Sequence, residues 1–235
     1  PGDGRRRLPR AAAAATRGGA AAVRTLLLLL GLLLLAPLQA RAELREDAQS
    51  LVDQATLALP ELFNEVDPAA REQLAALLRE ARGVLLCPRI LRAGFLFGGR
   101  GGGCVLLGRE GAGWSHPAFY GLGGAGVGLQ IGIQDMALMM LVRSDRALSA
   151  LMDSQFAIGG DIGISVATFG ANLAGGTTPA LGADIVSVAR ARGLFMGLSL
   201  EGSLLSARSQ WTMAFYGEDL SARQVVLQGM GRNAG

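Results

Sequence analysis

The chain has 235 residues, of which 35 are glycine, and its 22 basic residues are all arginine, against 19 acidic residues. Half of the residues are apolar and only 5% are aromatic. This apolar content with so little charge excludes a disordered chain, and the absence of a three-residue glycine period excludes a collagen helix. One histidine and two cysteines leave few ligands for a zinc site, so we expect no metal.

The first 42 residues are typical of a leader that contains a secretory signal peptide. An apolar run from Leu26 to Leu38 follows Arg24, and Ala40-Arg41-Ala42 supplies a small-x-small cleavage site. As a helix this run would be roughly 20 Å long, whereas a bilayer core is roughly 30 Å thick. We expect cleavage between Ala42 and Glu43. The alternatives are an uncleaved anchor or a buried leucine-rich helix.

Removal of this leader reverses the sign of the net charge. Residues 1–42 hold seven Arg and one Asp, so 43–235 hold 15 Arg and 18 acidic residues, a net charge of −3. The bulk charge therefore gives no reason to expect nucleic acid. We expect a periplasmic or secreted bacterial protein. In that oxidising compartment Cys87 and Cys104 either pair as a disulfide or lie apart as two small buried residues.

The composition changes at Gly83. Residues 43–82 contain no glycine, and their apolar residues recur at helical spacing. We expect a pair of amphipathic helices there, with Pro60 starting a further turn. Asp67 and Pro68 suit the N-cap and first position of the second helix. From residue 83 onward, glycine alternates with apolar residues at period two, which indicates antiparallel strands with one apolar face.

The predicted fold is α+β: a strongly bent antiparallel sheet or small barrel with helices at both ends of the chain. A strand face made of glycine has no side chains to pack, so we expect a helix, a barrel corner or a ligand chain to lie close to it. Strands are expected at 84–87, 94–98, 104–108, 115–120, 124–134, 136–143, 156–168, 183–190 and 193–203.

Three short helices are predicted near the strands. Ser144 is expected to cap the first helix. The second covers about 207–216 and stops at Gly217. Ser221 and Gln224 form a capping box for the last helix.

The residues that catalysis would need are scarce. His116 is the only histidine, and its neighbour Ser115 would point to the opposite face of a strand. Asp161 and Glu201 fall on small or polar strand faces, but nothing fixes the distance between them. Asp184 is best interpreted as a strand-entry residue. We therefore expect no enzyme.

Nucleotide sites are not expected either. With no lysine in the chain, a phosphate-binding P-loop is excluded. Gly121, Gly123 and Gly126 fit the pattern G-x-G-x-x-G, but a dinucleotide site requires that the motif open a helix, and here a period-two strand follows. We expect no cofactor.

An ordered set of short motifs resembles the SYLF lipid-binding domain family, in its exported bacterial form. The motifs are Ala93-Gly94-Phe95-Leu96-Phe97-Gly98-Gly99-Arg100, Gly113-Trp114-Ser115-His116-Pro117-Ala118-Phe119-Tyr120, Gly128-Leu129-Gln130-Ile131-Gly132, Ala183-Asp184-Ile185, Arg192-Gly193-Leu194-Phe195-Met196-Gly197-Leu198-Ser199-Leu200-Glu201-Gly202 and Phe215-Tyr216-Gly217. Together they cover roughly residues 60–230. The predicted organisation has three parts: a leader (1–42), a helical part (43–82) and a β core with C-terminal helices (83–235). The second and third parts would together form one SYLF-like domain.

The resemblance implies a non-enzymatic domain that binds phospholipid or membrane surfaces. Eukaryotic relatives bind phosphoinositides, and some fungal members bind actin. Phosphoinositide binding in the family is associated with a basic amphipathic N-terminal segment, whereas the mature chain here begins Glu43-Leu44-Arg45-Glu46-Asp47. We therefore expect neither phosphoinositide-specific binding nor actin binding.

The expected function is lipid binding through a sheet lined by glycine and aromatic residues. Ring bodies bury while the polar tips of Trp and Tyr stay hydrated. The alternative is a structural or assembly module of the cell envelope that binds a protein partner through the helices in 43–82. The aromatic residues expected near lipid are Phe95, Phe97, Trp114, Phe119, Tyr120 and Phe195.

Overall fold

The structure is a computed structural model. It describes residues 41–64, 66–94, 97–127, 132–153, 155–160, 163–169, 182–193 and 202–231. The chain divides into two units, 1–43 and 44–235. The apolar run of the leader lies outside the described residues, and no helix among the described residues is long and apolar enough to cross a bilayer.

Two described helices precede the sheet. Helix α1 comprises the helical residues 41–64, and α2 spans Pro68–Glu80, which confirms Pro68 as its first residue. The sequence predicts a separate turn from Pro60, but α1 continues through it. Proline leaves one helical carbonyl without its N–H partner. This loss is tolerated because apolar residues on both sides of the proline, such as Ala58 and Leu62, are buried in the core.

In the part of the chain that the structure describes, nine strands form one sheet. Their bounds are β1 Gly83–Gly94, β2 Phe97–Glu110, β3 Gly113–Trp114, β4 Ala118–Val127, β5 Gly132–Val142, β6 Gln155–Ala157, β7 Val166–Thr168, β8 Ile185–Gly193 and β9 Leu204–Ala207. Their spatial order is β6-β9-β4-β2-β1-β5-β8-β7, with β3 beside β2. The sheet is strongly curled, as predicted. Together with the helices, it confirms the predicted α+β class.

The pairing is antiparallel except where β7 runs parallel to β8. The strand predicted over 156–168 is instead two short strands at opposite ends of the sheet. Gly159 and Gly163, with φ of 77° and 83°, break the extended backbone between them. The strands predicted at 124–134 and 193–203 fall partly on residues that the structure does not describe.

Different helices cover the two faces of the sheet. On the face that we call the α1 face, Leu51 of α1 packs over Gly103. On the other face, Val226 packs over Gly108 and Leu148 packs over Gly83. Side chains alternate between faces along each strand, and Gly83 and Gly108 are register partners, which places both on the same side. The sheet is therefore the middle layer of the core.

The two helices that cover this other face were predicted from local signals. Helix α3 spans Asp145–Leu151, with Ser144 as its N-cap, and α5 spans Ala222–Gln228. The capping box of Ser221 and Gln224 is present. Helix α4, Ser209–Tyr216, ends at Gly217 with φ of 77°, the left-handed conformation that favours glycine. These caps confirm the three predicted helices.

Cys87 and Cys104 form a disulfide between β1 and β2, and their Cα atoms are 4.1 Å apart. Both residues are fully buried, and the bond lies beside the β-bulge between Leu86 and Arg89. The disulfide therefore joins two central strands where their register shifts.

Candidate functional site

A row of facing glycines forms an unusual surface on the α1 face. Gly101 of β2 pairs with Gly123 of β4, and Gly99 pairs with Ala125. Gly103, which Leu51 covers, lies two residues along β2 from Gly101, so these pairs share its face. With almost no side chains, the floor of this surface consists of backbone.

Among the described residues, no side chain lies against the centre of this floor. A β-carbon built at Gly123 meets no atom within 4 Å. At Gly101 and Gly99 it would meet only backbone carbonyl oxygens, at 3.7 and 3.9 Å. A groove of about 550 Å³ lies along β4 and β9. Its lining residues are Gly121, Leu122, Gly123, Gly124, Ala125, Gly202, Leu204, Ser206 and Arg208.

Apolar side chains stand on both sides of the floor. The strand register aligns Leu91 of β1, Gly101, Gly123 and Leu204 of β9 in one row across the sheet. Leu91 and Leu204 are each 47% exposed. Ile133 of β5, which pairs with Ala93, extends this apolar surface and is 69% exposed. We call the floor with these two leucine walls the glycine trough.

One end of the trough is closed. There, Leu51 lies over Gly103, and the guanidinium of Arg208 lies over Gly121, the partner of Gly103. The Cζ atom of Arg208 is 4.7 Å from the ring centroid of Trp211. The trough therefore combines an apolar opening with a cation at its closed end.

The opposite face of the sheet is polar around Gly124. Gly124 on this face is overlaid by Arg100 and by Ser203 Oγ, which lie 2.8 and 3.2 Å from a built β-carbon. Burial lowers the pKa of Arg100, and the neighbouring charge of Arg92 lowers it further. Ser203 Oγ is buried without a hydrogen-bond partner. Behind the floor of the trough, the backbone at Gly124 is therefore covered by polar side chains.

A second depression, of about 230 Å³, lies between α1 and the sheet. Two ion pairs line it: Arg89 Nε lies 2.8 Å from Asp135 Oδ2, and Arg190 pairs with Glu61 of α1. Exposed ion pairs contribute little stability. Because each of these carboxylates already has a guanidinium partner, this depression presents balanced charge.

Three of the six predicted aromatic residues have described side chains. Phe119 is buried against Trp211 and Phe215 of α4, with ring centroids 6.3 and 5.0 Å away. Tyr120 is fully buried on the opposite face, where burial raises its pKa and its hydroxyl has no hydrogen-bond partner. Trp114 stacks on Arg109, whose Cζ is 3.8 Å from its ring. None of these three rings is among the residues that line the groove along β4 and β9.

The other three predicted aromatic residues are Phe95, Phe97 and Phe195. Phe97 begins β2, but its side chain lies outside the described part of the structure, as do Phe95 and Phe195. Their predicted contact with lipid stays a prediction.

Of the residues weighed for catalysis, Ser115 and His116 are described, and both make structural contacts. Ser115 Oγ accepts a hydrogen bond from Gly108 N and donates one to the carbonyl of His116, so it is engaged with backbone. The ring of His116 packs edge-on against Tyr216, at 6.4 Å between centroids. Asp161 and Glu201 lie outside the described residues. Among the described residues no cluster of His, Cys, Asp and Glu could hold a metal ion.

Comparison with known proteins finds the family that the motifs resemble. Residues 123–234 match the Ysc84 family model, described as "Las17-binding protein actin regulator". The chain is 33% identical over 162 residues to the Bos taurus SH3 domain-containing YSC84-like protein 1, which covers 68% of the chain and 47% of that protein. It is 33% identical over 154 residues to the Homo sapiens protein of the same name, covering 65% and 45%.

A fungal relative matches as well. The Saccharomyces cerevisiae LAS seventeen-binding protein 3 is 29% identical over 153 residues, covering 63% of the chain and 33% of that protein. The chain spans half or less of the length of these relatives, and they are named for binding or regulation, not for catalysis. Residues 123–234 therefore carry a Ysc84 (SYLF) domain, and the chain is a homologue of the YSC84-like proteins.

Proposed function

We propose that the chain is a non-enzymatic lipid-binding protein that binds phospholipid or membrane surfaces through the glycine trough. One observation carries the proposal: a side-chain-free floor lies open between two half-exposed leucines. Contiguous apolar surface that is left exposed on a folded domain marks a binding site for another apolar body. An acyl chain suits this floor, because it can approach the backbone closely without displacing side chains.

The disulfide is consistent with an exported protein. Disulfides persist in the periplasm and outside cells, and they are rare in reducing compartments. Cys87 and Cys104 are bonded in the core. We therefore include export in the proposal, with signal-peptide cleavage between Ala42 and Glu43.

Liposome flotation with charged variants tests the proposal. Ile133→Asp and Leu91→Asp each place a carboxylate on an exposed position of the apolar surface, where contact with lipid would have to desolvate it. We expect each to weaken flotation with phosphatidylcholine liposomes about tenfold or more. Leu227→Asp is the matched control, because Leu227 is an exposed leucine of α5, on the other side of the sheet. Equal flotation of all three variants and the parent chain would exclude the trough.

A protein partner is the second candidate, favoured by the names of the relatives, which describe binding to Las17. On this chain the exposed Leu57 of α1, at 70% exposure, is the most prominent apolar residue of the N-terminal helices. The buried residues of α1 already pack in the core, so only the outer side of the helix remains for a partner. Leu57→Asp separates the two functions: it would reduce capture of an envelope partner and leave liposome flotation unchanged.

A further inference from the structure

The closed end of the trough holds a cation that has no acidic partner among the described residues. Arg208 lies at the N-cap of α4, and its backbone N–H donates to Phe119 O at 2.9 Å. Its Nε is 2.8 Å from a β-carbon built on Gly121, so the guanidinium lies directly on the strand backbone. The ring of Trp211 is stacked against it on another side.

The absence of a side chain at residue 121 gives the guanidinium this position. Any larger residue would displace Arg208 from the floor. The same face of β4 then continues through Gly123 to Ala125, which is exposed. From residue 121 to residue 125 the strand rises about 13 Å. The guanidinium of Arg208 and the side-chain-free surface over Gly123 thus lie one after the other along β4.

We propose that the trough binds a long-chain fatty acid, with the carboxylate held by Arg208 and the chain lying on the glycine floor between Leu91 and Leu204. This inference rests on the proposed lipid-binding function and narrows it to a single-chain anionic lipid. A guanidinium presents two parallel N–H donors that match the two oxygens of a carboxylate. One guanidinium suits one singly charged head.

The width of the trough fits a single chain. Leu91 and Leu204 are separated by three strand spacings, or about 14 Å between backbones. The two leucine side chains occupy part of this width, and the remainder lies over Gly101 and Gly123. The bound acyl chain would remove both leucine side chains from water, and this burial supplies the apolar part of the affinity.

Equilibrium dialysis of the full chain, freed of bound lipid, with radiolabelled palmitate tests the carboxylate contact. Hexadecanol has the same chain length without the charge. We expect the parent chain to bind palmitate at least tenfold more tightly than hexadecanol, since hydrogen bonds to charged groups are the stronger ones. Arg208→Gln should lose this preference and leave hexadecanol binding unchanged, and Arg208→Lys should retain part of it. Equal binding of palmitate by the parent chain and Arg208→Gln would overturn the proposal.

Two further variants test where the acyl chain of the fatty acid lies. Gly123→Val fills the floor at a position where a β-carbon meets nothing, so it should fold normally and weaken palmitate binding at least tenfold. Gly113→Val is the matched control: the nearest atom to its β-carbon is Glu110 O at 3.8 Å, and it lies outside the trough. Unchanged affinity in Gly123→Val would overturn the proposed path of the chain.

Tryptophan fluorescence gives an independent readout of the head position. In a Trp114→Phe background only Trp211, which contacts Arg208, remains. Palmitate should change its emission and hexadecanol should change it less. A parent chain that binds neither palmitate nor hexadecanol but still floats with phosphatidylcholine liposomes would overturn the fatty-acid site and leave the proposed function standing. A parent chain that neither binds palmitate or hexadecanol nor floats with liposomes would overturn both the fatty-acid site and the proposed lipid-binding function.

Discussion

Leu51 of α1 lies directly over Gly103 of β2. A β-carbon at residue 103 would be 3.0 Å from Leu51 Cδ2 and 3.1 Å from Cδ1. Two residues away on the same strand face, a β-carbon at Gly101 would have only Leu122 O near it among the described residues, at 3.7 Å. The helix thus covers part of a continuous glycine surface, and its edge marks where the open trough begins.

Gly103→Val should destabilise the protein, because the added side chain cannot fit beneath Leu51 and α1 must move away from the sheet. We expect a loss of about 1–3 kcal/mol in the free energy of unfolding, measured by urea denaturation. Leu51→Ala should reduce the free energy of unfolding less in the Gly103→Val variant than in the parent protein, because the smaller side chain makes room for the valine. Gly123→Val on the open part of the face is the control. Strictly additive effects at 103 and 51 would contradict this packing.

Gly102→Ala should be destabilising for a different reason, namely contact with backbone at the bulge. Its β-carbon would overlap the carbonyl oxygen of Arg89 and lie 3.1 Å from Ile90 Cα. Backbone cannot rotate away as a side chain can, so we expect a loss of about 1–3 kcal/mol in urea denaturation. Gly101→Ala, whose β-carbon would have 3.7 Å to Leu122 O, should have a much smaller effect. Equal losses would show that the bulge is not as tight as described.

The features that were predictable from sequence depend on neighbouring residues. The capping box of Ser221 and Gln224 and the C-cap at Gly217 are each set within a few positions, so the helices they bound were predicted correctly. The period-two alternation likewise predicted strands with glycine on one face. Local rules did not predict that Gly159 and Gly163 split the expected strand over 156–168.

What covers each strand face depends on contacts between distant parts of the chain. Phe119 was expected near lipid because ring bodies bury at such a surface. In the fold, Phe215 of α4, 96 positions later in the sequence, covers its ring. Leu91 and Leu204 became trough walls only through register across four strands. Arg208 gave no sequence signal, since its role depends on lying over Gly121. The alignment of these residues requires the folded sheet.

Arg109 should contribute substantially to stability because it binds the C-terminal end of α2. Its Nη2 donates to Leu78 O at 2.6 Å and to Arg79 O at 3.3 Å, and its Nε donates to Ala81 O at 3.3 Å. Arg109→Leu leaves these carbonyls without their charged donor, and we expect a loss of about 1–3 kcal/mol by thermal or urea denaturation.

Arg79→Leu is the control for the Arg109 variant. It removes the same charge from the exposed last turn of α2, and its side chain makes none of these carbonyl contacts. A loss of equal size in both variants would indicate that charge near the helix end matters and that the capping geometry does not.

The disulfide should stabilise the fold mainly through the unfolded chain. Cys87 and Cys104 are 17 positions apart, and a loop of this size corresponds to about 3 kcal/mol in the chain-entropy account. The double variant Cys87→Ala/Cys104→Ala should therefore unfold at lower urea than the oxidised parent. Reductant should lower the midpoint of the parent and leave that of the double variant unchanged. A parent that is insensitive to reductant after complete unfolding and refolding would contradict this prediction.

Asp184 should make stability depend on pH in the acidic range. The N–H of Ser165 donates to Asp184 Oδ2 at 2.9 Å, and Ser165 Oγ donates to the same oxygen at 2.9 Å. These bonds, with Ser144 and the charge of Arg146, lower the pKa of Asp184 from 3.8 to about 2. Because the folded pKa lies below the unfolded one, the stabilisation is present above about pH 4 and is lost as pH falls towards 2.

The pH dependence of two variants checks this assignment. Asp184→Asn should be less stable than the parent at pH 7, and the difference between them should shrink between pH 4 and pH 2. Ser165→Ala removes one donor to the carboxylate and the hydroxyl that accepts from Asp184 N, so it should reduce the same acid-sensitive component. Urea midpoints measured across this range give the comparison. If Asp184→Asn and the parent differ by the same amount at pH 7 and pH 2, the carboxylate charge contributes nothing and only the shape of the side chain matters.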